Sequence, residues 1–364
     1  MHKTSAWPLA WIYVVLVVYA SLYPFSDWRD QGMAPWTFLT APLPKYWTWF
    51  DVLTNVLGYA PLGFLLALSA ARTHRVMHGV VAATVAATLL SLLLETMQGY
   101  LPVRVPSNVD LALNSMGAWF GALAASVLER IGVLDRWSRF RARWFVPEAR
   151  GALVLLALWP AALLFPAAVP FGVGQVFERL EAALAGALLD TPFLDWLPLR
   201  EIELQPLVPL AELVCVMLGL LIPILLGYCV IRKLTHRAWF LIAVILAGLG
   251  TSALSAALSW GPEHAWAWFG APAKAGLSLA VVSGLALLAA AKRVGIAVLL
   301  LALGVYLSLI NQAPASAYFA QTLQAWEQGR FIRFHGVAQW LGWLWPYAAL
   351  VYVFTQAWSR ETRN

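Results

Sequence analysis

Apolar runs close to the length needed to cross a bilayer, ~20 residues of helix for ~30 Å of hydrocarbon, recur from one end of the chain to the other. They fall at about 7–23, 52–71, 79–100, 109–128, 151–170, 207–231, 238–260, 273–291, 294–310 and 336–356. A segment inside hydrocarbon has to satisfy its backbone N–H and C=O groups internally, and a helix does so within one segment. The expected class is therefore all-α: a polytopic α-helical membrane protein of about ten transmembrane helices. Composition agrees, since 61% of the residues are hydrophobic and 12% charged, the latter about half the share in a soluble domain. No soluble catalytic domain is visible. The net charge of +6 does not point to nucleic acid, because the basic residues cluster in short loops beside apolar runs. Cys215 and Cys229 lie in one expected helix, ~21 Å apart along its axis and too far for a disulfide.

Lysine and arginine bias sets orientation. With the N-terminus inside, the inner segments carry Lys3, Arg72, Arg75, the cluster from Arg130 to Arg150, Arg232, Lys233, Arg237, Lys292, Arg293, Arg360 and Arg363. Both termini are then expected in the cytoplasm of a bacterial cell, with the chain multi-pass in the cytoplasmic (inner) membrane. The first run follows only His2 and Lys3 and precedes no small-x-small cleavage site, so it reads as an uncleaved span. Three regions are expected: a four-helix membrane domain over 1–128, a basic amphipathic linker over 129–150, and a six-helix membrane domain over 151–364. In the linker, Val133, Trp137, Phe140 and Trp144 recur at helical spacing with arginines between them, which suits a helix among anionic head groups. Val176, Phe177, Leu180, Leu184 and Leu188 oppose Glu178, Arg179 and Glu181; this reads as a second interfacial helix or a lid over the outer face. The proline-rich loop 24–50 is expected to be irregular and to cover something.

The polar residues of the first four runs are concentrated near one membrane face. Asp51 and Asn55 are four apart in run two, Glu95 and Gln98 three apart in run three with Ser91 one turn below, and Asp110 and Asn114 four apart in run four. Each pair shares one helix face. Arg104 lies in the short loop between runs three and four. Ionisable side chains within a span usually face a bundle interior or a wet cavity and mark function. Asp51 and Asp110 have a plainer alternative, because each stands where a carboxylate caps a helix N-terminus. Asn114 is followed by Gly117 and Gly121, a GxxxG step that permits close helix approach. In run two, Gly58, Pro61 and Gly63 follow Asn55, and Pro61 is expected to bend the helix.

These residues resemble the VanZ-like family: Asp51 and Asn55 before the apolar run bearing Pro61 and Gly63, then Glu95 with Gln98, Arg104, and Asp110, Asn114 and Gly117. The resemblance covers roughly residues 45–125. It implies a membrane protein linked to low-level resistance to the glycopeptide teicoplanin, with no settled reaction. The helices after residue 150 are an addition to that pattern.

In the second half, Arg330, Arg333 and His335 sit on the expected outer side, against the charge bias. They read either as an interfacial helix among native lipids or as donors to a lipid phosphate. His74 and His78 are four apart without an acid nearby, and HExxH, CxxC and GxxxxGK[ST] are absent; no metal and no cofactor are expected. Three functions follow. The first is a site for an envelope lipid or lipid-linked glycan, with Glu95 and Asp110 as candidate acid and base and Asp51, Asn55, Gln98, Arg104, Asn114, Arg330, Arg333 and His335 as candidate binding residues. The second is a proton-coupled transporter using Glu95. The third is a non-catalytic envelope scaffold. The expected partners are membrane lipids and not nucleic acid.

Overall fold

The structure, a computed structural model, describes residues 6–23, 25, 27–32, 34–43, 49–70, 76–165, 167–189, 191–196, 204–314 and 332–361. Among these the chain is helical, and its one β-bridge joins Phe145 to Ile231. It divides into two compact units, Met1–Arg141 and Ala142–Asn364.

The first unit holds α1 (Ala6–Leu22), α2 (Trp49–Ala70), α3 (Val76–Gln98), α4 (Asn108–Arg130) and most of α5 (Val133–Trp144). The face of α4 that is buried carries Asn114, Gly117, Ala118, Gly121, Ala122, Ala125 and Ser126, while Met116, Trp119, Phe120 and Val127 point outward and are exposed. Small residues inside and large apolar ones outside is the pattern of a helix surrounded by lipid, where association depends on close packing. That packing is with α2. A Cβ on Gly117 would lie 2.2 Å from the carbonyl oxygen of Val56, one on Gly121 1.8 Å from that of Ala60, and one on Gly63 1.9 Å from that of Ala118. The two backbones touch, and three glycines make the contact possible. α2 runs as one uninterrupted helix through Pro61. The proline ring disturbs the preceding turn, and in that turn the Tyr13 hydroxyl of α1 donates to the Gly58 carbonyl at 2.8 Å.

The second unit holds α6 (Arg150–Leu163), α7 (Phe177–Leu188), α8 (Pro209–Val230), α9 (Leu234–Trp260), α10 (Ala271–Ala286), α11 (Lys292–Ile310) and α12 (Ile332–Glu361). α8 is its axis, buried almost all round from Cys215 to Val230 and packed by α6, α9, α10 and α11. At one end of the unit, Arg237 donates to the carbonyls of Ile231, Leu288 and Ala290, and the Arg232 amide bonds to the Trp144 carbonyl. At the other end, an irregular segment over 167–176 is held against α11 and α12. With α7 set aside, successive helices therefore alternate in direction.

Each of the ten apolar runs contains a helix, and both amphipathic stretches are helical as α5 and α7. Among the described residues, six helices are long and apolar enough to cross a membrane: Asp51–Ala70, Met77–Gln98, Asn108–Arg130, Pro209–Val230, Leu234–Ser259 and Lys292–Ile310. Ala6–Leu22, Arg150–Leu163 and Ala271–Ala286 are apolar but shorter. The expected span over 151–170 is the largest departure. Its helix ends at Leu163; Pro166 follows three residues on in the sequence and has no N–H for a further turn, and beyond it Phe171 and Gly174 take positive φ of 58° and 92°. Among the described residues, this is a membrane-type helical protein with several apolar helices.

Candidate functional site

The polar residues of the first unit meet where the ends of α3 and α4 approach α1 and α2. Helix α4 begins at Ser107, whose side chain accepts from the amides of Val109 and Asp110 at 3.2 and 3.3 Å. Ser107 and Asp110 have the spacing of a capping box, in which the acid would reach back to the serine amide. Here that amide is taken from outside the helix: the Ser107 N–H donates to Glu95 Oε2 of α3 at 2.9 Å. Asp110 is thereby released to accept from Asn55 Nδ2 of α2 at 2.7 Å. One turn further, Asn114 Nδ2 donates to Ser91 Oγ of α3 at 3.0 Å. Tyr59 of α2 lies beside the Ser91 side chain. Beyond it, Thr88 donates to Ser115 at 3.0 Å.

Glu95 and Asn114 are 4% and 5% exposed, values normally reserved for apolar side chains within a bundle. The Asn114 Oδ1 atom is buried and has no hydrogen-bond partner among the described residues. An acceptor left without a donor in a low-dielectric interior costs ~1–3 kcal/mol, so this oxygen is the point of the cluster that would gain most from a donor supplied by a ligand.

The other expected site residues are placed as follows. Gln98 donates to the Ser21 carbonyl of α1 at 2.9 Å. Arg104 donates to the carbonyls of Ala20 and Tyr23 at the end of α1, with its shortest contact 2.9 Å. A guanidinium there satisfies carbonyls that a helix C-terminus leaves open and meets the negative end of its dipole. Asp51 is exposed in the first turn of α2. Arg333 and His335 fall in the first turn of α12, in the second unit, and Arg330 lies outside the described residues. The loop after α1 covers the cluster's edge: the Arg29 amide bonds to the Tyr100 carbonyl, Gln31 to the Gly99 carbonyl, and Asn108 to the Ala41 carbonyl.

The structure thus joins Asn55, Glu95, Asp110 and Asn114 across three helices and ties Gln98 and Arg104 to the first. Each amide finds its partner on another helix: Asn55 on α4, Asn114 on α3 and Gln98 on α1. Sequence reasoning missed Ser107 and Tyr59. The spacing of Ser107 to Asp110 could have revealed the first; nothing distinguishes Tyr59 from its apolar neighbours. The cap predicts a modest effect: Ser107→Ala should lower the stability of the detergent-solubilised protein by about 1 kcal/mol, read as a lower thermal midpoint, and Ser107→Asp should recover most of it.

Residues 10–129 match the VanZ/LLP1 family model. The match takes in α1 as well as α2 to α4, which fits the bonds from Tyr13, Gln98 and Arg104 that tie α1 to the cluster. The remaining helices lie outside it. No curated protein and no solved structure was found to match the chain.

Proposed function

We propose that the VanZ/LLP1 region of this chain binds an envelope lipid or lipid-linked glycan from the non-cytoplasmic face of a bacterial cytoplasmic membrane, and through that ligand alters susceptibility to glycopeptides of the teicoplanin type. The observation that carries the reading is the buried acceptor of Asn114 beside Ser91, Tyr59 and Glu95. Polar groups at this density inside apolar helices are costly and usually serve a ligand or proton path. A sugar or head-group hydroxyl is a donor of the kind that Asn114 lacks. Glu95 and Asp110 are the groups able to move a proton, and with no nucleophile assigned the activity proposed is binding. In this reading all ten apolar helices cross or enter the bilayer and both termini face the cytoplasm. The alternation of helix direction within the second unit supports that topology, since Arg232, Lys233, Arg237 and Arg293 then share one side.

The test is native mass spectrometry of the protein purified with its lipids, alongside teicoplanin sensitivity of cells that express it. Asn114→Leu and Glu95→Gln, each with a thermal midpoint within a few degrees of the parent, are expected to lose at least tenfold in retained lipid and to shift drug sensitivity. Folded variants that keep both properties would show that the polar cluster only fixes helix packing.

A further inference from the structure

Helix α5 lies outside the family match, and each of its ends adjoins the end of a helix long enough to cross a membrane. It follows α4 after only Ile131 and Gly132, and the φ of 73° at Gly132 makes the turn. Its other end is tied to the residues where α8 stops. The Arg232 amide donates to the Trp144 carbonyl at 3.1 Å, the Val146 amide donates to the Val230 carbonyl at 2.9 Å, and Phe145 pairs with Ile231. The Trp144 ring lies flat on that of His236, with centroids 4.1 Å apart. A helix of 12 residues is ~18 Å long, too short to cross a bilayer.

Helical spacing sorts its side chains. Val133, Trp137, Phe140 and Trp144 share one side, Arg136 and Arg143 lie along one flank of it and Arg141 along the other, and Asp135 falls on the opposite side. Trp137 and Phe140 are 54% and 38% exposed, and their rings stack with centroids 5.4 Å apart. Arg136 and Arg143 are exposed. An outward aromatic pair between flanking arginines fits a surface that is apolar below and anionic above. The boundary of a leaflet is such a surface: rings enter the acyl layer while guanidinium groups rise to the phosphates. The tertiary structure adds to this face. The bond from Arg232 to Trp144 brings the exposed pair Arg232 and Lys233, distant in sequence, to the same end of the helix as Arg143. Helix and pair together carry six basic residues against the single acid Asp135, so the matching surface is anionic. A soluble polyanion would answer the charge and leave Trp137 and Phe140 in water.

We propose that α5 and the Arg232–Lys233 pair form one docking surface for anionic phospholipid head groups. Trp137 and Phe140 enter the acyl boundary, Arg136, Arg143, Arg232 and Lys233 meet the phosphates, and Asp135 faces away. Docking then depends on the anionic-lipid content of the leaflet, by about fivefold for each basic residue near the surface, and weakens with salt. The leaflet is the cytoplasmic one if the topology proposed above holds; the docking itself does not rest on that reading.

The experiment places the full chain in nanodiscs of phosphatidylcholine, alone or mixed with phosphatidylglycerol, and follows hydrogen exchange over residues 133–144. Both faces of a nanodisc carry the same lipids, so the result is independent of topology. Exchange is expected to slow when phosphatidylglycerol is present and to recover at about 1 M salt, where the screening length falls to about 3 Å. The double variant Arg136→Gln, Arg143→Gln should exchange about twenty-five-fold faster than the parent in anionic discs, the product of two fivefold losses. The pair Arg232→Gln, Lys233→Gln should act in the same direction, and Trp137→Ser should speed exchange in both kinds of disc. These residues are all exposed, and an unchanged thermal midpoint in detergent checks that the variants fold. Glu95→Gln should exchange like the parent, which separates this surface from the site proposed in the first unit. Equal exchange in neutral and anionic discs would overturn the proposal. So would faster exchange in Trp137→Ser with no change in either charge variant, which would leave an apolar anchor alone. Protection by an RNA oligonucleotide or polyglutamate in neutral discs, without a response to phosphatidylglycerol, would assign the surface to a soluble partner and overturn the lipid assignment.

Discussion

Replacing Gly121 by leucine is expected to abolish the folded first unit, while Gly58→Ala, in the neighbouring helix, is expected to be tolerated. The contrast rests on space. A Cβ at Gly121 would stand 1.8 Å from the Ala60 carbonyl oxygen, whereas one at Gly58 meets nothing within 4 Å. The obstruction at Gly121 is backbone and cannot rotate away, so α2 and α4 would have to separate. Separation would break the Asn55–Asp110 bond along with the contacts at Gly63 and Gly117. Overpacking of a tight core costs ~1–3 kcal/mol and occasionally more, and Gly121→Leu should exceed ~3 kcal/mol. Gly121→Ala should show a smaller loss of the same sign. Yield of monodisperse protein and thermal midpoint in detergent read the effect. Equal behaviour of Gly121→Leu and Gly58→Ala would mean that the two helices do not meet at this register.

The second large effect is expected at Asn311, in the second unit. Its Oδ1 accepts from the amides of Val176 and Phe177 at 2.9 and 3.0 Å, and its Nδ2 donates to the carbonyls of Gly174 and Leu307 at 3.0 and 2.9 Å. One amide side chain at the end of α11 thereby caps the start of α7 and holds the irregular segment. The Tyr306 hydroxyl does the same one turn earlier, accepting from the Val173 amide at 2.6 Å and donating to the Phe171 carbonyl at 3.0 Å. Asn311→Leu keeps the branching of the side chain but leaves two backbone donors without their acceptor, each worth ~1–3 kcal/mol when buried. The expected result is a loss of about 2–6 kcal/mol, by the same count of unsatisfied donors, and faster hydrogen exchange over residues 171–177. Asn311→Asp, which keeps the acceptor, should retain more stability than Asn311→Leu. Unchanged exchange in Asn311→Leu would show that water replaces the side chain.

Much of the architecture was legible because hydropathy adds up along a chain without regard to fold. The ten apolar runs locate ten helices, and the periodic residues of α5 and α7 locate two more. The GxxxG step from Gly117 to Gly121 marked the contact face of α4, since only glycine admits a neighbouring backbone at that distance. The stretch after Leu163 was misread for the same reason that the others were read well. Its sequence, LFPAAVPFGVG, is apolar enough to extend a span, and hydropathy does not separate an apolar helix from apolar loop residues buried by their neighbours. The prolines and glycines in it were the available signal. Nothing in the sequence marks Asn311 beyond its place just after the run 294–310, because its bonds are to backbone some 135 positions earlier.

The candidate site divides in the same way. Residue type alone identified Glu95, Asn55, Asp110 and Asn114 as groups that a membrane helix does not carry without cause, because desolvation is a property of the side chain and its depth. Which group meets which was decided by the helix register. The contact of Gly121 with Ala60 sets α4 against α2 and delivers Asp110 to Asn55, while the register of α4 against α3 delivers Asn114 to Ser91 and the Ser107 amide to Glu95. Burial cost is local and can be read one residue at a time; partnership depends on the rotation and offset of two helices, which exist only once their backbones have packed.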